Sequence, residues 1–185
     1  RKRLSIASMD TIAIFGQGPV GASGTLFAKS MGARVIAVDV VPERLELARK
    51  LGADTIVDAS VDDPVEAVRE LTHGEGADAT LDATGIPQVR NDAVDAAKYW
   101  GRVCFVGEGN TTTFDISPQI IHKQLTIYGS WTFSTGGLAE VAHYVVERNG
   151  PLDELITHSF KLDQAVEAYE LFRGATTGKV VFVWD

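Results

Sequence analysis

The sequence predicts an α/β fold, with a doubly wound, six-stranded parallel sheet followed by a short αβ carboxyl-terminal extension. Two observations predict this fold. Apolar runs of strand length alternate with amphipathic stretches of helical length, which is typical of parallel strands joined by crossover helices. Glycine also follows most of the helical stretches, as at Gly32, Gly52 and Gly74, where we expect helices to end.

The elements of the sheet follow from the apolar runs and the helix-start signals. Asp63-Pro64-Val65-Glu66, for example, predicts an N-cap, a proline at the first helical position and a capping-box glutamate. Strands are expected at Thr11–Phe15, Arg34–Val38, Thr55–Val57, Ala79–Leu81, Val103–Val106 and Leu125–Tyr128. Helices are expected over Pro19–Met31, from Pro42 to Gly52, from Pro64 to Gly74 and over Pro87–Tyr99, with a helical turn at Ser117-Pro118.

The extension predicts two further helix and strand pairs. They are a helix over Leu138–Arg148, a strand over Ile156–Phe160, a helix over Asp163–Phe172 and a last strand over Val180–Trp184. We therefore expect a dinucleotide-binding domain over residues 8–133 and a carboxyl-terminal segment over residues 134–185.

Composition excludes several classes of partner. Among 185 residues, 45% are apolar and the net charge is −8. The one basic cluster is Arg1-Lys2-Arg3, so nucleic acid is not an expected partner. No apolar stretch is long enough for a bilayer and no signal-peptide pattern precedes the first strand, so no membrane partner is expected. The single cysteine, Cys104, lies in an apolar run, which predicts a buried, inert thiol and a reducing, cytoplasmic location.

A glycine pattern follows the first predicted strand and opens the first helix. In Gly16-Gln17-Gly18-Pro19-Val20-Gly21, Gly16 permits a tight turn, Gly18 lets the backbone approach a diphosphate, and Gly21 lets helix and strand pack closely. The helix N-terminus offers N–H groups to phosphates. Asp39 ends the second strand and is expected to accept hydrogen bonds from both hydroxyls of an adenosine ribose. The alternative is a purely structural turn with a solvent-facing Asp39.

The residue at position 39 also predicts which nicotinamide cofactor binds. A carboxylate repels the additional 2′-phosphate of NADP, so we expect NAD. Arg44 lies five residues further along the chain, in the first turn of the second helix. It would either reach the adenosine ribose or pair with Asp39.

Other candidate residues directly follow strands, because ligands of open parallel sheets bind beyond the carboxyl ends of the strands. These stretches are rich in Gly, Ser and Thr, which suits close contact with a flat ring and its carboxamide. They are Val40 after the second strand, Ala83, Thr84 and Gly85 after the fourth, Gly107 and Glu108 after the fifth, and Ser130, Trp131 and Thr132 after the sixth.

Groups that would perform chemistry on a substrate are not evident. The sequence has no C-x₂-C pair and no Cys/His cluster at metal-ligand spacing. His73, His122, His143 and His158 are expected to be surface or structural residues. No nucleophile motif is present. We therefore predict a cofactor site with no metal ligands and no catalytic residue in this chain.

These motifs together resemble the zinc-type medium-chain alcohol dehydrogenases, from about Thr11 to Trp184. Gly16–Gly21 is similar to the cofactor turn of that family, Gly-Pro-Val-Gly included. The other matching motifs are Met31-Gly32-Ala33, Lys50-Leu51-Gly52-Ala53-Asp54, Asp82-Ala83-Thr84-Gly85 and Thr177-Gly178-Lys179-Val180-Val181. The resemblance implies a Rossmann fold, NAD as cofactor and an alcohol or polyol substrate.

The resemblance also implies residue roles. Val20 would pack behind the nicotinamide ring, and Lys179 would approach the diphosphate. The backbone at Val106, Glu108, Ser130 and Thr132 would meet the carboxamide. Trp131 and Phe133 are candidates for lining the substrate pocket, and the alternative is that they pack in the core or at a subunit contact. Family members commonly associate along the sheet edge near the sixth strand, which implies a homodimer or homotetramer.

Family members are about twice as long as this chain, and their first half carries the zinc ligands and the proton relay. The resemblance therefore implies that this chain matches the carboxyl-terminal half, which would bind NAD(H) without turning over substrate alone. Three alternatives stay open: a non-catalytic dinucleotide sensor, a zinc-free quinone or enoyl reductase of the same superfamily, and a methyltransferase. Gly18-Pro19 and Asp39 argue against the reductase, and Gly21 and the six-strand count against the methyltransferase.

Overall fold

The main sheet has six parallel strands in the order β3-β2-β1-β4-β5-β6. The structure, a computed structural model, describes residues 3–132, 134–148 and 152–184. The strands are β1 (Thr11–Phe15), β2 (Arg34–Asp39), β3 (Thr55–Asp58), β4 (Ala77–Asp82), β5 (Ala97–Phe105) and β6 (Thr126–Gly129). This order confirms the predicted doubly wound sheet, and it places the reversal of strand order between β1 and β4.

Four helices connect the first five strands, and each begins at a proline, whose missing N–H costs nothing at that position. Asp63 caps the third by accepting hydrogen bonds from the N–H groups of Val65 and Glu66. The capping box expected from Glu66 is wrong, because its carboxylate accepts from Arg69 Nη1 at 2.6 Å instead. The helices are α1 (Pro19–Ser30), α2 (Pro42–Lys50), α3 (Pro64–Leu71) and α4 (Pro87–Asp95).

The boundary between α4 and β5 differs from the prediction. The helix expected to reach Tyr99 ends at Asp95, and β5 begins at Ala97, which pairs with Ala77. The Lys123 ammonium donates to the carbonyl oxygens of Val94 and Asp95 at 2.8 and 3.0 Å. This distant side chain therefore caps the helix where local propensity favours its continuation.

The central strands β1 and β2 form the core with the helices on both faces. Ile14 and Val35 are fully buried on one face, and Phe15 and Ile36 lie in the cluster on the other. Small residues on α1 allow it to approach the sheet, since a Cβ built on Gly24 would lie 3.0 Å from Leu81 Cδ2. The predicted burial of Cys104 is confirmed, and burial raises the pKa of its thiol.

The extension packs on α1 and α2 through Leu155, which contacts the cluster of Ala22, Leu26 and Leu51. Tyr144 OH also lies 2.8 Å from Ser30 Oγ. A π-helical turn (Ser117–Ile121) precedes β6. The extension contains α5 (Thr135–Arg148), β7 (Ile156–Phe160), α6 (Ala165–Arg173) and β8 (Lys179–Phe182), with 3₁₀ turns at Leu152–Leu155 and Leu162–Gln164. Strands β7 and β8 form a separate parallel pair.

Within the described ranges, no helix has the length and apolar character needed to cross a membrane.

Candidate functional site

The glycine turn joins β1 to α1 at the switch in strand order. Gly16 has a φ of +87°, and its N–H donates to the Val38 carbonyl at 2.8 Å. A Cβ built on Gly21 would overlap the Gly16 carbonyl group, so the first turn of α1 rests directly on the backbone of Gly16. Both positions therefore require glycine, one for its left-handed conformation and one for close approach.

Gln17 holds this turn from inside the protein. Its side chain is fully buried, and its Nε2 donates to the Ile14 carbonyl at 2.9 Å. Its Oε1 accepts from Thr25 Oγ1 at 2.8 Å. Both ends of the amide are thus paired with β1 and α1, as a buried polar group requires. The sequence pattern did not identify Gln17, because the position between the two glycines carries no signal of its own.

The N-terminus of α1 is open to a ligand. Gly18 is the N-cap and has no side chain to pair with the helix, and the first turn carries no acidic residue. The first intrahelical bond runs from Ala22 N to Gly18 O, at 2.9 Å, so helix geometry leaves the N–H groups of Val20 and Gly21 without an acceptor inside α1. These donors and the helix dipole favour an anion.

Asp39 lies beside the turn and is held by backbone amides. Its side chain is buried, its Oδ2 accepts from Gln17 N at 2.5 Å, and its Oδ1 accepts from Val40 N and Val41 N at 2.8 and 3.0 Å. A carboxylate has about four lone-pair positions, so these amides leave roughly one for a ribose hydroxyl. The remaining lone pair is on Oδ2, and the expected pair of bonds from the two ribose hydroxyls stays a prediction. Val40 next to it is 56% exposed, which leaves an apolar surface at the edge of the site.

Arg44 reaches from α2 to the glycine turn. A Cβ built on Gly18 would lie 3.8 Å from the Arg44 guanidinium carbon. Its Nε is buried and has no hydrogen-bond partner. In the described ranges no ion pair joins Arg44 to Asp39. Of the two alternatives for Arg44, pairing with Asp39 is therefore not what the structure shows. The cation instead lies over the same turn that the α1 N-terminus faces.

The loop after β4 is ordered by Asp82, which is fully buried. Its Oδ1 accepts from Thr84 N, Thr84 Oγ1 and Gly85 N at 2.9, 2.7 and 3.2 Å. A Cβ built on Gly16 would lie 2.5 Å from Thr84 Cγ2, so this loop touches the glycine turn. Ala83, whose N–H donates to the Phe15 carbonyl at 2.9 Å, lies at the same contact.

The loop after β5 packs against the loop after β4. A Cβ built on Gly107 would overlap Gly85 N, and one on Gly85 would overlap the Glu108 carbonyl oxygen. Val106 N and Gly107 N both donate to the Asp82 carbonyl, at 2.9 and 3.1 Å. The structure therefore brings together the predicted residues of three strand ends.

The remaining predicted residues lie outside the contacts between the glycine turn and the loops after β4 and β5. Ser130 N donates to the Phe105 carbonyl at 3.0 Å, while Trp131 is 70% exposed and Thr132 has a φ of +41°. Phe133 lies outside the described residues. Val20 is 52% exposed on α1. Lys179 begins β8 in the separate two-stranded sheet, and no described hydrogen bond or ion pair joins its side chain to the glycine turn.

Sequence reasoning missed a second arginine, Arg90 on α4, whose guanidinium binds the loop after β5. No sequence signal identified Arg90, because the loop carbonyl groups that it binds cannot be located from a sequence.

No group of three His, Cys, Asp or Glu side chains in the described part of the chain is arranged to hold a metal ion. His143 pairs with Glu147 at 3.1 Å on the exposed face of α5, and His158 Nδ1 lies 2.9 Å from Thr157 Oγ1.

The residues fit a dinucleotide with a diphosphate. The crevice offers free helix N–H groups, an unpaired guanidinium nitrogen, a turn without side chains and an acidic group at the adjacent strand end. A Cβ at Gly18 would contact only the Arg44 guanidinium, at 3.8 Å, so it would lie between that cation and the turn, which is where a diphosphate needs backbone contact.

Comparison with known proteins agrees with this geometry. The chain is 38% identical over 181 residues to the uncharacterized zinc-type alcohol dehydrogenase-like protein YphC of Escherichia coli K12, covering 97% of this chain and 51% of that protein. It is 38% identical over 181 residues to the L-threonine 3-dehydrogenase of Pyrococcus horikoshii, covering 94% and 51%. The chain thus spans about half the length of the curated relatives it matches.

Among solved structures, a protein described as a short chain alcohol dehydrogenase (rspB), from Escherichia coli CFT073 and complexed with NADH, superimposes with a TM-score of 0.87 and 26% identity, covering 97% of this chain and 53% of that one. The sequence model of one family, described as "Zinc-binding dehydrogenase", matches residues 19–147. This match begins at Pro19, the first residue of α1 and part of the Gly16–Gly21 pattern, and ends within α5. The chain therefore belongs to the zinc-binding dehydrogenase family.

Proposed function

We propose that this chain binds NAD(H) in the crevice between the glycine turn and the ends of β2, β4 and β5. The observation that carries the proposal is the open N-terminus of α1, placed at the strand-order switch beside the amide-held carboxylate of Asp39. The NADH complex of a structurally similar alcohol dehydrogenase supports it.

The residues divide the cofactor between them. The N–H groups at Gly18, Val20 and Gly21 bind the diphosphate, and the Arg44 guanidinium neutralises it from the other side of the turn. Pro19 fixes the backbone φ at the first position of α1 near its helical value. Asp39 accepts a hydrogen bond from the adenosine ribose, and Val40 packs against the adenine base. The nicotinamide and its carboxamide are held by Val20, Ala83, Thr84, Gly85, Val106, Gly107, Glu108, Ser130, Trp131 and Thr132, and Lys179 supplies a further cation.

Calorimetric titration with NADH tests this proposal. The expected result is one saturable site per chain, with competition by ADP-ribose, which carries the adenosine and diphosphate but no nicotinamide. Absence of heat at millimolar NADH, together with absence of ADP-ribose binding, would contradict it.

We further propose that the chain is the cofactor half of a zinc-dependent alcohol or polyol dehydrogenase. The names of its relatives, alcohol dehydrogenase-like and L-threonine 3-dehydrogenase, and their twofold greater length support this. When bound, the nicotinamide accepts a hydride from the alcohol carbon. This chain's part is to bind the cofactor, to orient its ring and to exclude water from one side of it.

On this proposal residues 8–133 form the cofactor-binding domain, and residues 134–185 pack partly against a half that carries the zinc ligands. The exposed apolar side chains of the extension support it: Val166 and Tyr169, which lie one turn apart on α6, are 74% and 64% exposed, and Val146 on α5 is 79% exposed. The 185-residue chain, mixed with NAD and a series of primary and secondary alcohols, is expected to form no NADH. Sustained turnover by this chain alone would contradict that division of labour.

A further inference from the structure

Arg90 binds one loop at four points. Its side chain extends from α4 and is only 13% exposed. The Nη2 group donates to the carbonyl oxygens of Gly107 and Gly109 at 2.9 and 2.8 Å. The Nη1 group donates to the Asn110 carbonyl at 3.1 Å and to Thr112 Oγ1 at 3.0 Å. One guanidinium thus holds residues 107–112 with charge-assisted hydrogen bonds, which are stronger than bonds between neutral groups.

The same guanidinium faces the buried carboxylate that orders the neighbouring loop. Arg90 Nε lies 3.6 Å from Asp82 Oδ2, a separation for an ion pair rather than a hydrogen bond. Asp82 in turn accepts from Thr84 and Gly85. Asn110 Nδ2 adds a direct tie to the Gly85 carbonyl at 3.1 Å. The loops after β4 and β5 therefore share one polar network.

The backbone of the segment that Arg90 holds has unusual conformational freedom. It contains Gly107 and Gly109, and Gly109 and Asn110 have φ values of +88° and +58°. Glycine loses more conformational entropy than other residues when it is ordered, and a left-handed asparagine is sterically uncommon, so the bonds from Arg90 favour one conformation of this loop.

The direction of these bonds determines where the N–H groups of the loop point. In a planar trans peptide the C=O of one residue and the N–H of the next point in opposite directions. Because the Gly107 carbonyl points at Arg90, the N–H of Glu108 points away from α4. The Asn110 N–H is directed in the same way by the bond to the Gly109 carbonyl.

We propose that Arg90 is a positioning residue for the nicotinamide end of the cofactor. It holds residues 107–112 against Thr84 and Gly85, so that the backbone donors of that loop face the crevice in one conformation. This inference rests on the proposed NAD(H) function. It goes beyond it by predicting a selective effect: the adenosine and diphosphate contacts come from α1, β2 and α2, which Arg90 does not touch among the described hydrogen bonds and ion pairs.

The test compares NADH with ADP-ribose, by calorimetry on the 185-residue chain. In Arg90→Met the affinity for NADH is expected to fall by about tenfold, while the affinity for ADP-ribose stays within about twofold. Arg102→Met is the matched control. Arg102 also binds two carbonyl groups and a carboxylate, those of Leu4, Ser5 and Asp10, but at the opposite end of the sheet, so both affinities should be unchanged.

A second variant covers the case in which Arg90→Met does not fold. Asn110→Gly removes the tie to the Gly85 carbonyl while permitting the same positive φ, and NADH affinity is expected to fall by about threefold with ADP-ribose unaffected. Equal losses for both ligands, or no loss for either, would overturn the positioning role. Wild-type chain that binds neither ligand would instead overturn the NAD(H) proposal itself.

Discussion

Single glycines in the turn have separable roles, because a methyl group at each meets a different neighbour. At Gly21 a Cβ would overlap the Gly16 carbonyl group, whereas at Gly18 it would contact only the Arg44 guanidinium at an ordinary 3.8 Å. One glycine is therefore required by the fold and the other by the ligand.

Gly21→Ala is expected to lower the free energy of unfolding by roughly 3 kcal/mol, since the methyl group forces α1 away from the turn. Gly18→Ala should change that free energy by less than about 1 kcal/mol yet abolish NADH binding by occupying the diphosphate position. Urea unfolding and calorimetry on both variants measure the contrast. A Gly18→Ala chain that binds NADH normally would contradict the proposed diphosphate site.

Replacement of Asp39 tests cofactor choice at the residue scale. Asp39→Gly is expected to raise the ratio of NADPH to NADH affinity by about tenfold or more, because a like-charge contact with the 2′-phosphate is removed. The same variant should be less stable by about 1–3 kcal/mol, since three amides lose their acceptor.

Asp58→Gly is the control for that experiment, because Asp58 ends β3 directly beside Asp39 in register. If the charge of the whole sheet edge governed cofactor choice, both variants would change the ratio similarly. If Asp39 itself excludes NADPH, the ratio of NADPH to NADH affinity changes much more in Asp39→Gly than in Asp58→Gly. An Asp39→Gly chain that still rejects NADPH would show that the carboxylate has another role.

The sequence identified candidate site residues where a role depends on residue type. Gly16, Gly18, Gly21 and Asp39 were recognisable because a tight turn, a close backbone approach and the proposed ribose contact each need those residue types. Gln17 and Arg90 could not be predicted, because what they bind is backbone carbonyl groups whose positions only the folded chain defines.

At the scale of elements, the end of α4 shows how distant contacts override local preference. Ala96, Ala97 and Lys98 favour a helix, and the sequence predicted one to Tyr99. The Lys123 ammonium and the Arg69 guanidinium both donate to the Asp95 carbonyl, at 3.0 and 3.4 Å, and the chain turns into β5 at that point. The starts of the four helices were predictable from their prolines, whereas the end of α4 was not.

Burial lowers the pKa of Lys123 from 10.5 to about 8. Between those values the unfolded chain binds more protons at this site than the folded chain, so the contribution of Lys123 to stability rises with pH through this window. Urea unfolding at about pH 7.5 and pH 9.5, compared between wild type and Lys123→Met, measures it. The buried Cys104 thiol, whose pKa is raised, contributes the opposite trend to both proteins and cancels in the difference.

The wild-type chain is therefore expected to gain stability relative to Lys123→Met as the pH rises. A difference between the two proteins that is flat or falls across this window would show that the ammonium is not buried against the end of α4.

At the scale of the whole molecule, strand order follows from connectivity, since alternating strands and helices with a right-handed crossover allow few arrangements. The sequence therefore predicted the six-stranded sheet well. It could not predict how the extension packs. The groove between α2 and the extension, lined by Leu47, Thr157 and Gly178, depends on side chains distant in sequence.

Strand β6 lies at the edge of the sheet, and we expect two chains to associate along it in a homodimer or homotetramer. Ile127 is 37% exposed on this edge strand, and unpaired strand edges readily pair with another chain. Ile127→Lys is expected to shift sedimentation equilibrium towards monomer, while Val166→Lys, on α6 of the extension and 74% exposed, leaves the assembly unchanged. Dissociation by the second variant alone would place the interface on the extension instead.

A crystal structure of the chain grown with NADH would show directly whether the crevice binds the cofactor. We expect the diphosphate on the N–H groups of Val20 and Gly21, the adenosine ribose within hydrogen-bond distance of Asp39, and the nicotinamide beside the loops that Arg90 and Asp82 hold. A structure from saturating NADH in which the cofactor lies elsewhere, or in which protein atoms fill the space before Gly18, would contradict the proposed NAD(H) site.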